Sequence, residues 1–118
     1  LVSYSRGLQL SMQAADELAK QGISAEVVDL RTLRPLDMDP IIESFKKTNR
    51  AFVVEEGWKS YGVGSEVVSR IYEEAFDYAD APVKRVAQKE VPLPYNQKLE
   101  QLAMPQVADV IQAVKEVL

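Results

Sequence analysis

The stretch VVEEGWKSYGVGSE, Val53 to Glu66, decides how this chain is read. It holds the only Trp and three of the five Gly. Ala51-Phe52-Val53-Val54 is a continuous apolar run, the mark of a strand buried on both faces, and parallel sheets are where such strands occur. After it come two acids, then Gly57-Trp58 and Gly62-Val63-Gly64 on either side of Tyr61. Glycines just past a strand raise the question of a phosphate-cradling loop, and the residues argue against one. A GxxxxGK[ST] loop needs Lys and Ser/Thr directly after its last Gly, whereas Gly64 is followed by Ser65-Glu66. The dinucleotide fingerprint needs a third small residue where Val67 stands. Glu66, in the first helical turn, complements the helix dipole itself and would repel an incoming phosphate. A tight helix start is the plain role for Gly62 and Gly64. Trp58 and Tyr61 are of the types enriched at protein contacts. A lone Trp packed into its own domain is the competing reading.

Outward from this stretch, strands and helices alternate. Leu1 to Ser5 reads as a strand that starts at the first residue, which suggests a fragment whose upstream part is missing. Leu8, Met12, Ala15 and Ala19 recur at helical spacing, and Gly22 suits a helix end. Ala25 to Leu30 is a second strand. Asp39 can cap the next helix and Pro40 suits its first position; Ile41, Ile42 and Phe45 form its apolar face and Asn49 its end. A third helix carries Val63, Val67, Ile71 and Ala75, and ADAP (Ala79–Pro82) breaks it. Val83 to Val86 is a fourth strand, and Glu90 to Pro105 reads as mostly irregular. A last helix, begun by Pro105, carries Val107, Val110, Ile111, Val114, Val117 and Leu118 on one stripe. The expectation is a three-layer α/β/α domain over residues 1–118, with a mainly parallel sheet of four strands in the order 2-1-3-4. Its default ligand crevice lies beyond the ends of strands one and three.

Composition narrows the chemistry. The net charge of −4 and pI near 4.9 argue against nucleic-acid binding, which needs a basic surface. No apolar run is long enough to span a membrane. Without Cys there is no thiolate nucleophile or zinc-thiolate site, and without His no imidazole base. Glu55 and Glu56 are adjacent in a strand, point to opposite faces and make a poor catalytic pair. Loop residues Arg31 and Arg34 pair most simply with acids such as Asp37. Glu73, Glu74 and Asp77 load the end of the third helix with acid, with Asp80 just beyond, against the dipole preference there. Such a patch either awaits basic groups or is a solvated face.

VVDLRTLRPLD (Val27–Asp37), VVEEGW (Val53–Trp58) and YGVGSEV (Tyr61–Val67) together resemble the C-terminal domain of transketolase-like thiamine diphosphate enzymes. DAP (Asp80–Pro82), VPLPYNQKLEQLAMPQ (Val91–Gln106) and the closing helix are similar to the beta subunits of the decarboxylase component of 2-oxo acid dehydrogenases, those of pyruvate dehydrogenase above all. The resemblance implies a non-catalytic assembly and docking domain that binds no cofactor by itself. Thiamine diphosphate and Mg²⁺ would be held elsewhere in the parent enzyme, by an upstream pyrimidine-binding domain and an alpha subunit. An antiparallel edge strand of the family domain, just before the position of Leu1, would be missing. The implied partners are an alpha subunit and a second beta subunit in a heterotetramer, and the basic subunit-binding domain of the acyltransferase core. Asp80, the acid before Ala-Pro, is the implied contact for that basic domain, with Trp58 and Tyr61 offered to a neighbouring subunit. The implied setting is a bacterial cytoplasm or a mitochondrial matrix. Lys59-Ser60 departs from the Pro-Gln common in relatives, so the loop shape does not carry over from the family, while Trp58 and Tyr61 keep their places. Branched-chain 2-oxo acid, acetoin, transketolase and deoxyxylulose-phosphate synthase enzymes share single motifs. A freestanding flavodoxin-like domain would need acids or a phosphate loop after strand one, and Ser3-Tyr4-Ser5-Arg6-Gly7 offers neither.

Overall fold

A helix follows each of the first three strands, so every strand-to-strand connection is a crossover and the strands run parallel. The computed structural model, which describes residues 1–118, has this arrangement. Strands β1 (Val2–Ser3), β2 (Val28–Asp29), β3 (Phe52–Trp58) and β4 (Lys84–Gln88) form one parallel sheet in the order β2-β1-β3-β4, as the sequence predicts. Val2 lies between Val28 and Val53, and Val54 pairs with Val86.

Helices α1 (Arg6–Ala19) and α5 (Val107–Lys115) cover one face; α2 (Asp39–Thr48) and α3 (Val63–Ala75) cover the other. The alternation of β3 sorts its side chains between the layers. Phe52 and Val54 join Ala14, Leu18, Val110 and Val114 beneath α1 and α5. Val53 joins Ile41, Phe45, Val67 and Ile71 beneath α2 and α3. Glu55, two residues past Val53, is carried to that same dry side.

Several local expectations are corrected. The buried stripe of α1 is Gly7, Ser11, Ala14 and Leu18, one register away from Leu8, Met12, Ala15 and Ala19. Met12 is half exposed. Small residues face the sheet because α1 comes very close to it: a Cβ on Gly7 would stand 2.9 Å from the Val54 carbonyl oxygen and overlap the Ser3 hydroxyl. Asp39 does not cap α2. It is the first helical residue, Met38 holds the cap position, and the Asp39 N–H donates to Asp37 Oδ1 at 3.1 Å. Asn49 ends α2 in a left-handed conformation, φ 61°, as its residue type permits. Of the expected strand Ala25–Leu30, only Val28–Asp29 pairs as a ladder. Arg31 pairs with Asp29, at 2.6 Å, not with Asp37.

The segment read as irregular contains a helix, α4 (Gln97–Ala103), whose cap Asn96 accepts from the N–H groups of Lys98 and Leu99. Its Leu99 and Leu102 face solvent, so it has no core stripe to detect. Pro105 precedes α5 by two residues; Gln106 is the cap, in a reciprocal pair with Asp109. Leu118 is exposed, outside the α5 stripe. No helix is long and apolar enough to cross a membrane.

Candidate functional site

The end of β3 and the start of α3 are built around one carboxylate. Glu55 is only 1% exposed, and its Oε2 accepts the Gly64 N–H at 2.9 Å. Gly62, at the cap position of α3, offers no side chain to the free N–H groups of the first turn. The strand below supplies that acceptor instead. Both glycines are required by it: a Cβ on Gly62 would lie 2.5 Å from Glu55 Oε1 and 2.6 Å from the Trp58 carbonyl oxygen. On Gly64 it would lie 2.9 Å from the same Oε1.

Burial pushes the Glu55 carboxyl above its ordinary range, against the opposing pull of the Gly64 N–H and the Arg85 charge. Its Oε1 has no hydrogen-bond partner. Burial likewise raises the Tyr4 phenol, aided by the charges of Glu55 and Glu56. Glu56 points the other way, 3.7 Å from Arg6 Nε. The position where a phosphate would meet the α3 dipole is thus filled by the chain's own carboxyl group. Glu66 is exposed and adds to this only from outside. The period of two along β3 was the available signal for Glu55; what it could not show is that α3 begins directly above.

Between Trp58 and Gly62 the loop is held from outside the strand. Arg85 Nη1 donates to the Lys59 carbonyl at 2.6 Å and to Ser65 Oγ at 2.5 Å. The Ser60 N–H donates to Glu90 Oε1 at 2.8 Å, and contact with Ser60 keeps the Glu90 carboxyl below its usual range. Trp58 Nε1 donates to the Val91 carbonyl at 3.1 Å, tying the loop to the segment that carries exposed Val91, Leu93, Tyr95, Leu99 and Leu102. Tyr61 stands at φ 58° with its side chain fully exposed, and Trp58 is half exposed. The lone Trp is therefore hydrogen-bonded at its nitrogen yet still presents ring surface.

Asp80 lies at the other end of α3, beyond a 3₁₀ turn over Phe76–Tyr78. At 1.5 Å per residue, that helix separates it from Tyr61 by roughly 20 Å. The structure brings Trp58 and Tyr61 together and keeps Asp80 apart from them. Its N–H donates to the Asn49 carbonyl at 3.0 Å, and Asn49 Nδ2 donates to the Tyr78 carbonyl at 2.8 Å, which fixes the turn to the end of α2. The Asp80 carboxylate accepts no hydrogen bond; its nearest cation is Arg50 Nη1 at 3.9 Å, a loose pair at an exposed site. Sequence reading passed over Phe76, which is two-thirds exposed beside it.

The chain is similar to known proteins over nearly its whole length. The chain is 50% identical over 117 residues to the pyruvate dehydrogenase E1 component subunit beta of Rhizobium meliloti (strain 1021), covering 99% of this chain and 25% of that one. The Rickettsia felis subunit is 52% identical over 99% of this chain and 36% of its own length. The mitochondrial subunit of Saccharomyces cerevisiae is 49% identical over the whole chain and 33% of its own. The chain thus spans between a quarter and about a third of these relatives. A solved structure described as a split gene transketolase, inactive beta4 tetramer, superposes with a TM-score of 0.84 at 29% identity, over 99% of this chain and 37% of that one. The profile of the transketolase C-terminal domain matches residues 1–110, and the chain belongs to that family.

Proposed function

We propose that residues 1–118 form the C-terminal, non-catalytic assembly and docking domain of the beta subunit of a pyruvate dehydrogenase decarboxylase component. The observation that carries this is identity of about one half to such subunits, over nearly all of this chain and only a part of theirs. The parent enzyme would decarboxylate pyruvate oxidatively and pass the acetyl group to lipoyl groups. The domain's share of that work is positional. Trp58 and Tyr61 meet a neighbouring subunit of an α₂β₂ assembly, and Asp80 meets the basic subunit-binding domain of the acyltransferase core. The setting would be a bacterial cytoplasm or a mitochondrial matrix; the relatives named above are bacterial or mitochondrial.

The parent's thiamine diphosphate and Mg²⁺ do not fit the residues of this domain. No group of three carboxylates is placed to hold a divalent ion, and Glu55 already occupies the α3 start where a diphosphate would dock. Isothermal titration of the chain with thiamine diphosphate and Mg²⁺ is expected to give no saturable heat. A clear isotherm would overturn the non-catalytic reading. For docking, Asp80→Arg is expected to weaken binding of the subunit-binding domain roughly tenfold or more at low salt. Unchanged affinity would remove Asp80 from the contact.

A further inference from the structure

The turn after α3 makes a shallow dent whose floor is aromatic. Tyr72, Phe76, Ala79, Asp80, Ala81 and Pro82 line it. The Tyr72 hydroxyl is turned inward and accepts the Val83 N–H at 2.7 Å. Its ring meets Phe76 with centroids 5.8 Å apart and planes at 57°. Packed this way, Phe76 keeps two-thirds of its surface open to solvent. Asp80 stands on its wall, and Glu73, Glu74 and Asp77 lie outside its lining, on the last turn of α3 and just past it. The C-terminal end of the helix dipole adds partial negative charge of its own.

The nearby cations are already engaged. Arg50 Nε donates to the Val117 carbonyl at 3.1 Å, Arg70 sits 4.0 Å from Glu74, and Lys46 Nζ lies 5.0 Å from the centre of the Tyr78 ring. That last contact is the chain's own use of a cation over an aromatic face. The acids alone would make only a solvated face. An exposed ring beside a carboxylate with open lone pairs is a more specific receptor, suited to a group that is flat, cationic and rich in donors. Guanidinium fits that description best, because it lays its plane on a ring and donates two parallel hydrogen bonds, whereas ammonium meets a ring only as a point charge and has no such fork.

We propose that this dent receives an arginine side chain of the docking partner, its guanidinium plane against Phe76 and its N–H edge toward Asp80. The proposal rests on the docking role given to Asp80 above and adds Phe76 as the residue that selects arginine over lysine. Titrating the subunit-binding domain into the chain and its variants tests it. Phe76→Leu, which keeps the apolar bulk and removes the ring, is expected to weaken binding roughly 3- to 30-fold. Asp80→Asn is expected to weaken it as well, more strongly at low salt. If Asp80→Asn weakens binding and Phe76→Leu does not, the aromatic role is overturned while the docking role of Asp80 survives. If neither variant weakens it, both fall; if only Phe76→Leu does, the pairing with Asp80 falls.

A second readout does not depend on how the variants fold. In the complex with the unmodified chain, one arginine of the partner is expected to show its side-chain proton resonances moved upfield by the ring current. An NMR spectrum of that complex with no such shift would overturn the stacking outright.

Discussion

A chain carrying Gly7→Val is expected to lose about 4 kcal/mol of stability, a large share of what a domain of this size has. Gly7 is where α1 touches the sheet. The Ser3 hydroxyl donates to the Val54 carbonyl at 2.6 Å beneath it, and a Cβ would press on both groups. One contact is a backbone atom of the central strand, which cannot rotate away. The other is a buried hydroxyl, which could turn aside only by giving up its hydrogen bond, at a cost of about 1–3 kcal/mol. Replacing Gly within a helix gains at most about 1 kcal/mol of propensity, so the steric term wins.

Gly7→Ala is the milder case, with an expected loss of about 2 kcal/mol. Combining it with Ser3→Ala should recover part of that loss, because the two atoms in conflict are then reduced to one. Urea midpoints at constant m-value measure all of these. A Gly7→Val chain as stable as its parent would mean that α1 stands off the sheet.

Glu55→Ala is expected to cost about 2–4 kcal/mol, from a stranded Gly64 N–H and a cavity under the start of α3. Loss of an ill-solvated carboxylate offsets part of this and has its own signature in pH. Because burial raises the folded-state pKa of Glu55 above its ordinary 4.5, the protonated form is the one that favours folding. Its contribution is fully present below 4.5 and is lost as pH rises through the raised folded value. Glu55→Gln, which cannot ionise, should therefore gain on the parent chain over that interval. The midpoints of the two chains, compared between about pH 4 and about pH 7, give the result. A difference that does not change with pH would show that Glu55 ionises like any solvated carboxylate. Trp58, the only Trp and three residues on, reports by its fluorescence whether the loop loosens when Glu55 is removed.

The sheet order followed from alternating elements and from the apolar run Ala51–Val54, and it needed no knowledge of side-chain size. The face of α1 did need it. A hydrophobic stripe predicts Leu8 and Met12, whereas the close approach of helix to sheet selects Gly7 and Ser11, a register one residue away. Helix α4 has no apolar stripe to reveal it, because Leu99 and Leu102 are largely exposed, and Asn96 is its clearest local sign. At the loop, the strongest reason to expect no phosphate lies outside the local pattern. Glu55 lies nine residues before the N–H it accepts, and nothing in the local pattern places α3 over it. The tie from Trp58 to Val91 spans thirty-three residues, and the exposed Phe76 opens the 3₁₀ turn that follows α3, a turn no local pattern announces.

The loop held by Arg85 and Glu90 bears on the thermodynamics of any contact made by Tyr61. Its backbone is already fixed in a left-handed conformation that few residues adopt without support. A partner that covers the ring has no loop to order; it arrests little more than two side-chain torsions, at about 0.5–1.5 kcal/mol. Most of the ordering entropy has been lost during folding, before the encounter takes place. Releasing the clamp with Arg85→Ala would return that entropy to the unbound loop, and association would slow and weaken although no residue in contact with the partner had changed.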